Sequence, residues 1–208
     1  MDILWRKVEE QRGSSKPRSV RGFWPAMAPA TIGWLVCAML LFQPLHTLAQ
    51  NDDDAEYRLK LAYLYNFAQF VKWPPEAFRN SAAPLTVCVA GPNPFQGEIE
   101  QGLRGRTVDG HPIEIKRLKA NDDPGACHMM FVRASEKKQA PRLFAAVKGS
   151  STLTVGETKG FADMGGVINL TLEGNKLRFE INLDAAQQTR LKISSKLLAL
   201  GKIVKVEQ

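Results

Sequence analysis

The residues after position 49 that could do chemistry are few: Cys88, Cys127, His111 and His128, and a short polar row, Arg178, Glu180 and Asn182. Cys127 and His128 are neighbours in an apolar, strand-like run. Successive strand residues point to opposite faces, so the two cannot act as nucleophile and base. Neither histidine lies in HExxH or beside a CxxC, so a zinc site would lack ligands. There is no G-x-S-x-G, GxGxxG or P-loop. A hydrolase would need a nucleophile within hydrogen-bond reach of His111 or His128, and no sequence signal supplies one. The chain therefore reads as a non-enzyme, with no catalytic residues, cofactor or metal.

The polar row belongs to the segment the rest of the chain is built around. Val167, Asn169 and Thr171 alternate with Ile168, Leu170 and Leu172, as in a half-buried strand. Residues 173–176, Glu-Gly-Asn-Lys, form a turn. Leu177, Phe179, Ile181 and Leu183 then alternate with Arg178, Glu180 and Asn182. The expectation is a stiff hairpin with charge and amide on its outer face. That row is a binding surface or a solvated sheet face, and the pattern alone leaves both open.

The elements that must position this hairpin read as one α/β domain, a mixed central sheet of about six strands flanked by helices. A helix starts near Glu56. Leu61, Leu64, Tyr65, Ala68 and Val71 fall on one face, and Tyr63, Phe67 and Phe70 form an adjoining stripe. The wide arc is plain core or in part a dimer seam. Residues 51–54 offer N-cap oxygens and negative charge to its start, and Pro74-Pro75 ends it. Strands follow at 85–90, 112–118, 127–132 and 152–155. Helices are expected at 95–103, at 136–147 with Ser135 as cap, and at 184–190 and 194–200. Leu197, Leu198, Ile203 and Val204 dock the tail on the sheet.

Length and composition fit a single globular domain: 208 residues, 44% hydrophobic, 24% charged. The net charge of +7 includes a basic N-terminal stretch, and no dense Lys/Arg tract follows, which argues against nucleic-acid binding. Residues 1–49 read as a signal peptide: a long basic region, an apolar core at 31–42, a break at Pro44, and Thr47-Leu48-Ala49 before a cut. The apolar core is shorter than the roughly 20 residues that span a bilayer. A retained N-terminal anchor is the alternative. Residues 50–55 form an acidic lead-in and 56–205 the folded domain. Export removes Cys37 and leaves Cys88 and Cys127, an even pair that favours a disulfide; two buried free thiols are the other reading.

Several blocks, in this order, resemble the YfiR family. Residues 63–74 (YLYNFAQFVKWP) are similar to its opening helix and residues 85–91 (LTVCVAG) to its first strand. Residues 153–156, Gly160-Phe161, Gly165-Gly166-x-Ile168-Asn169, 178–183 (RFEINL) and 193–198 (ISSKLL) are similar to its second half. The likeness spans about 56–205. It implies a periplasmic α/β protein, commonly a homodimer, that binds the periplasmic domain of an inner-membrane diguanylate cyclase and represses it. Cyclic-di-GMP and biofilm formation stay low until an outer-membrane lipoprotein sequesters the repressor. Cys88 and Cys127 match one family bridge. A second bridge falls between Val155 and Gly166, where this chain has no cysteine, so a redox switch there is absent.

The resulting expectation is a periplasmic regulator acting by protein–protein contact on a membrane cyclase or sensor. Its binding face is expected to use Glu180, Asn182 and Arg178 on the hairpin, with Asn66 and Phe67 on the first helix. The alternative is a periplasmic small-ligand binding protein feeding a sensor or transport system, with the ligand at the Gly91–Phe95 or Gly160–Gly166 loops.

Overall fold

The computed structural model describes residues 47–205, Asn175 excepted. The expected signal segment therefore lies outside the described residues up to residue 46. Helix α1 spans Thr47–Phe70, so residues 50–55 lie within it rather than leading into it. Its inner face is Leu61, Leu64, Phe67 and Ala68, all buried. The chain then enters β1, Val71–Lys72, and Pro74 and Pro75 open a single 3-10 turn.

An eight-stranded mixed sheet follows in place of the expected six strands. The strands are β2 (Leu85–Ala90), β3 (Thr107–Val108), β4 (His111–Leu118), β5 (Met129–Val132), β6 (Leu153–Gly156), β7 (Ile168–Glu173), β8 (Lys176–Asn182) and β10 (Lys202–Val204). Their order is β10-β8-β7-β6-β5-β2-β4-β3. The run β4-β2-β5-β6-β7 is parallel. β8 pairs antiparallel with β7, β3 antiparallel with β4, and β10 parallel with β8. A separate ribbon joins β1 to β9, Lys192–Ile193. The short helices are α2 (Glu98–Gln101), α3 (Ala140–Val147), α4 (Leu183–Gln187) and α5 (Ser195–Leu200).

Strand parity sorts the core into two layers. Val87, Val89, Met129, Phe131, Leu153, Val155, Ile168, Leu170 and Ile181 pack toward α1 and Leu197. Ala90, Met130, Val132 and Phe161 pack on the other face, toward Ala140 and Val147 of α3. Parallel central strands covered on both sides are apolar at nearly every position, as in Met129–Val132.

The two cysteines are joined, with Cα atoms 5.8 Å apart across 39 residues of sequence. The bridge pins β2 to the segment entering β5. Closing a loop of that length contributes roughly 4 kcal/mol in the chain-entropy model.

Besides α1, which starts at Thr47 rather than near Glu56, and α4, which ends at Gln187 rather than at Arg190, two helices differ from expectation. The one expected at 95–103 contracts to Glu98–Gln101. Asn93 accepts the Phe95 amide through its side chain, and Gly97 takes φ +66°, so the chain turns before it can wind. Ser135 does not cap α3. Its hydroxyl meets Glu136, and α3 starts at Ala140 with Pro141 in its first turn, where a missing N–H costs nothing. Ser194 does cap α5, accepting the Lys196 amide.

Candidate functional site

The five expected binding residues do not form one surface. Phe67 is buried, packed edge-on against Phe179 with centroids 5.0 Å apart. It is core, because its helix lies flat on the sheet. Asn182 is also buried. Its carbonyl oxygen caps α4 by accepting the Ala185 amide at 2.9 Å, and its amide donates to the Ala162 carbonyl at 2.7 Å. The outward alternation of β8 thus stops one residue early, since a loop covers that end of the strand. Both residues leave the candidate surface. Asn66 is exposed on α1. Phe179 faces α1, so Arg178 and Glu180 point to the opposite side of the sheet from Asn66.

What remains of the row is Arg178 and Glu180, extended by strand pairing. Glu180 lies opposite Asn169 on β7 and Lys202 on β10. Its carboxylate accepts the Asn169 side-chain amide at 3.2 Å and the Lys202 ammonium at 3.1 Å. Arg178 lies opposite Thr171 and is exposed, with no ion pair among the described residues. Asn169 is fully buried and its side-chain oxygen has no hydrogen-bond partner among the described residues. The expected half-buried strand is therefore covered on both faces at its start. The cover is the loop after β6. Its Phe161 lies over Gly156 and Gly166, where a Cβ at either position would overlap the ring.

The strongest electrostatic feature was not anticipated from sequence. β2 is followed by a connection to β4 on one side, and β5 by a connection to β6 on the other. The β2–β5 boundary is therefore the topological switch point, where α/β sheets open a crevice at the strand ends. Here a polar network fills its α1 side. Glu157, immediately after β6, accepts Lys60 Nζ at 2.6 Å, Arg133 Nε at 3.1 Å and the Ala134 amide at 3.1 Å. Arg133 also donates to the Tyr57 hydroxyl at 2.7 Å and to the Pro92 carbonyl at 3.0 Å. Lys60 pairs with Glu56 one turn back. The Lys60 and Glu157 side chains are only 7% and 4% exposed.

Burial alone would push the Glu157 carboxyl up. The Lys60 hydrogen bond and charge, the Ala134 amide and Arg133 together outweigh it and hold the group below its ordinary value. Burial likewise opposes charge on Lys60, but its bonds to Glu157 and Glu56 prevail and raise it. Tyr57 is raised, first by burial and then by Glu157. A sequence signal did exist. Tyr57, Lys60, Leu61 and Leu64 are spaced three or four apart, which places the lysine on the buried arc of α1.

The histidines serve structure. Phe78 stacks on His111 at 3.7 Å and on His128 at 4.3 Å. His128 Nδ1 accepts the Thr86 amide at 3.1 Å, so its Nε2–H donates to the Ala77 carbonyl at 3.0 Å. Burial, the largest influence, lowers its pKa and nearby His111 adds to this, against the Ala77 bond. Among the described residues no group of three His, Cys, Asp or Glu could hold a metal ion, and no helix is long and apolar enough to cross a membrane.

The described residues form a mixed α/β domain with one disulfide bridge, a buried charge network and a stiff polar hairpin. The sequence model of the YfiR/HmsC-like domain family matches residues 57–202, and the chain belongs to that family. Membership supports, in general terms, a periplasmic regulator of diguanylate cyclase signalling rather than an enzyme.

Proposed function

We propose that this chain is a periplasmic repressor that binds the periplasmic domain of an inner-membrane diguanylate cyclase, lowering cyclic-di-GMP and biofilm formation. The reading rests on the family and on one observation. Glu180 is clamped between Asn169 and Lys202 on a paired hairpin, beside exposed Arg178. Fixed charges on a stiff strand lose little side-chain entropy when a partner docks. The proposed face is Arg178, Glu180 and Lys202. An outer-membrane lipoprotein that competes for the repressor, and a homodimer as the working form, belong to the same proposal.

The test is a pull-down from membranes with Glu180→Lys, and with Glu180→Lys/Lys202→Glu, which restores the local pair in reverse. Both variants are expected to lose the cyclase and to leave cyclic-di-GMP high in cells. Equal recovery by the parent chain and both variants removes the hairpin from the proposal. Sedimentation of the purified chain tests the dimer.

A further inference from the structure

The α1 side of the switch point is filled, but the α3 side is open. A cavity of about 420 Å³ lies there, at the carboxyl ends of β2 and β4 and against α3. Its apolar lining is Ala90, Leu118, Pro124, Leu143 and Ala146. Its charged lining has both signs, and the two signs are differently engaged. Asp122 accepts the Lys119 amide at 2.8 Å, and Glu136 accepts Ser135 at 3.1 Å and Gln139 at 2.7 Å. The cations Lys119 and Arg142 also line the cavity, whereas Arg117, in register with Val89, belongs by strand parity to the α1 side. Neither the Lys119 nor the Arg142 side chain has an ion pair or hydrogen bond among the described residues. Each carboxylate is thus engaged by neutral donors, while the cations are unpaired among the described residues.

Gly91, at φ +102°, forms the rim. A side chain there would press on Ser135, Glu136 and Arg133, so the turn keeps the mouth at the strand ends unobstructed. The volume falls in the range of about 300–1,000 Å³ typical of small-molecule sites. It sits where a doubly wound sheet places its ligands.

From these features we infer that the cavity binds a small organic anion, with a carboxylate or phosphate met by Lys119 and Arg142 and an apolar body against Leu118 and Leu143. This site is separate from the hairpin: β5, β6 and β7 stand between β2 and β8 in the sheet. The inference therefore does not depend on the proposed partner.

The experiment is an amide NMR titration of the purified chain with 3-phenylpropionate, with phenyl phosphate, and with neutral 3-phenylpropan-1-ol. Saturable shifts are expected at Gly91, Leu118–Ala120 and Arg142–Ala146 with at least one anion, which also names the preferred oxyanion. The alcohol, and the anions on Lys119→Gln/Arg142→Gln, are expected to bind at least about tenfold more weakly. Lys119 and Arg142 are both exposed, so the variant keeps its fold, which its unshifted amides elsewhere verify. The inference is overturned by no saturable shift at those amides with either anion at millimolar concentration. Equal affinity for the alcohol, or anion affinity unchanged in the variant, also overturns it.

Discussion

Glu157 and Lys60, 97 residues apart in sequence, meet at 2.6 Å with both side chains nearly sealed from solvent. The contact joins the first helix to the end of β6 and completes the polar plug at the switch point. A buried pair of this kind adds little over a well-packed apolar substitute, but losing one partner strands the other charge.

Glu157→Gln is expected to cost about 3 kcal/mol in urea unfolding at neutral pH, the lower end for a broken buried pair because Glu56 still holds Lys60. Lys60→Met/Glu157→Gln should recover more than half of that loss. The folded-state pKa of Glu157 is lowered, so its contribution is complete above the ordinary carboxyl value of 4.5 and fades as pH falls through the folded value. The acid limb of the stability profile should be shallower in Glu157→Gln. Identical limbs would rule out this linkage.

Asn182 and its neighbours on β8 should separate in a stability scan. Asn182→Ala removes a helix cap and a buried amide bond and is expected to cost about 2 kcal/mol. Arg178→Ala should stay within about 0.5 kcal/mol, as surface changes do, whereas Glu180→Ala strands the buried Asn169 amide and is expected to cost about 1 kcal/mol. Thermal melts of the three variants decide this, and a neutral Asn182→Ala would contradict the burial described above.

His128 gives a second pH signature. Its folded pKa is lowered from the ordinary 6.5, so the folded chain prefers the neutral ring. Stability from this group is full above about 6.5 and declines as pH drops through the folded value, since the unfolded chain takes the proton first. In NMR the ring should titrate with a midpoint below 6.5. The Thr86 amide, which donates to Nδ1, should shift along the same curve. A midpoint above 6.5 would contradict it.

Alternation made much of the sheet legible in sequence. Leu177, Phe179 and Ile181 carry a period of two long enough to set register, and β8 pairs with β7 as that period requires, Glu173 opposite Lys176. Cys88 and Cys127 were legible as a pair because the expected export would leave just two. The missed strands β1, β3, β9 and β10 have two or three residues each, too few to show a period. Phe67 looked available because the stripe of Tyr63, Phe67 and Phe70 spills past the main apolar face, and nothing local says that Phe179 will meet it. The spacing of Lys60 put it on the buried arc of α1, but the Glu157 network as a whole was not legible, for a related reason. Its members come from α1, the end of β5 and the end of β6, and only the strand order brings them together.

Gly166→Ala is expected to cost at least about 1–3 kcal/mol, since an overpacked Cβ must displace the Phe161 ring. Gly166→Ala/Phe161→Leu should regain part of it in the same thermal assay. A fully tolerated single substitution would show that the ring is free to move.

That ring has a further consequence for how the chain can vary. Phe161 works as a peg seated between two missing side chains, one on the strand before it and one on the turn after it. The span between those seats is fixed like the distance between two holes, so residues can be exchanged but not added. Changes should accumulate at the outward positions Lys159 and Asp163, and new recognition would have to be written in surface chemistry rather than in a longer, roaming loop.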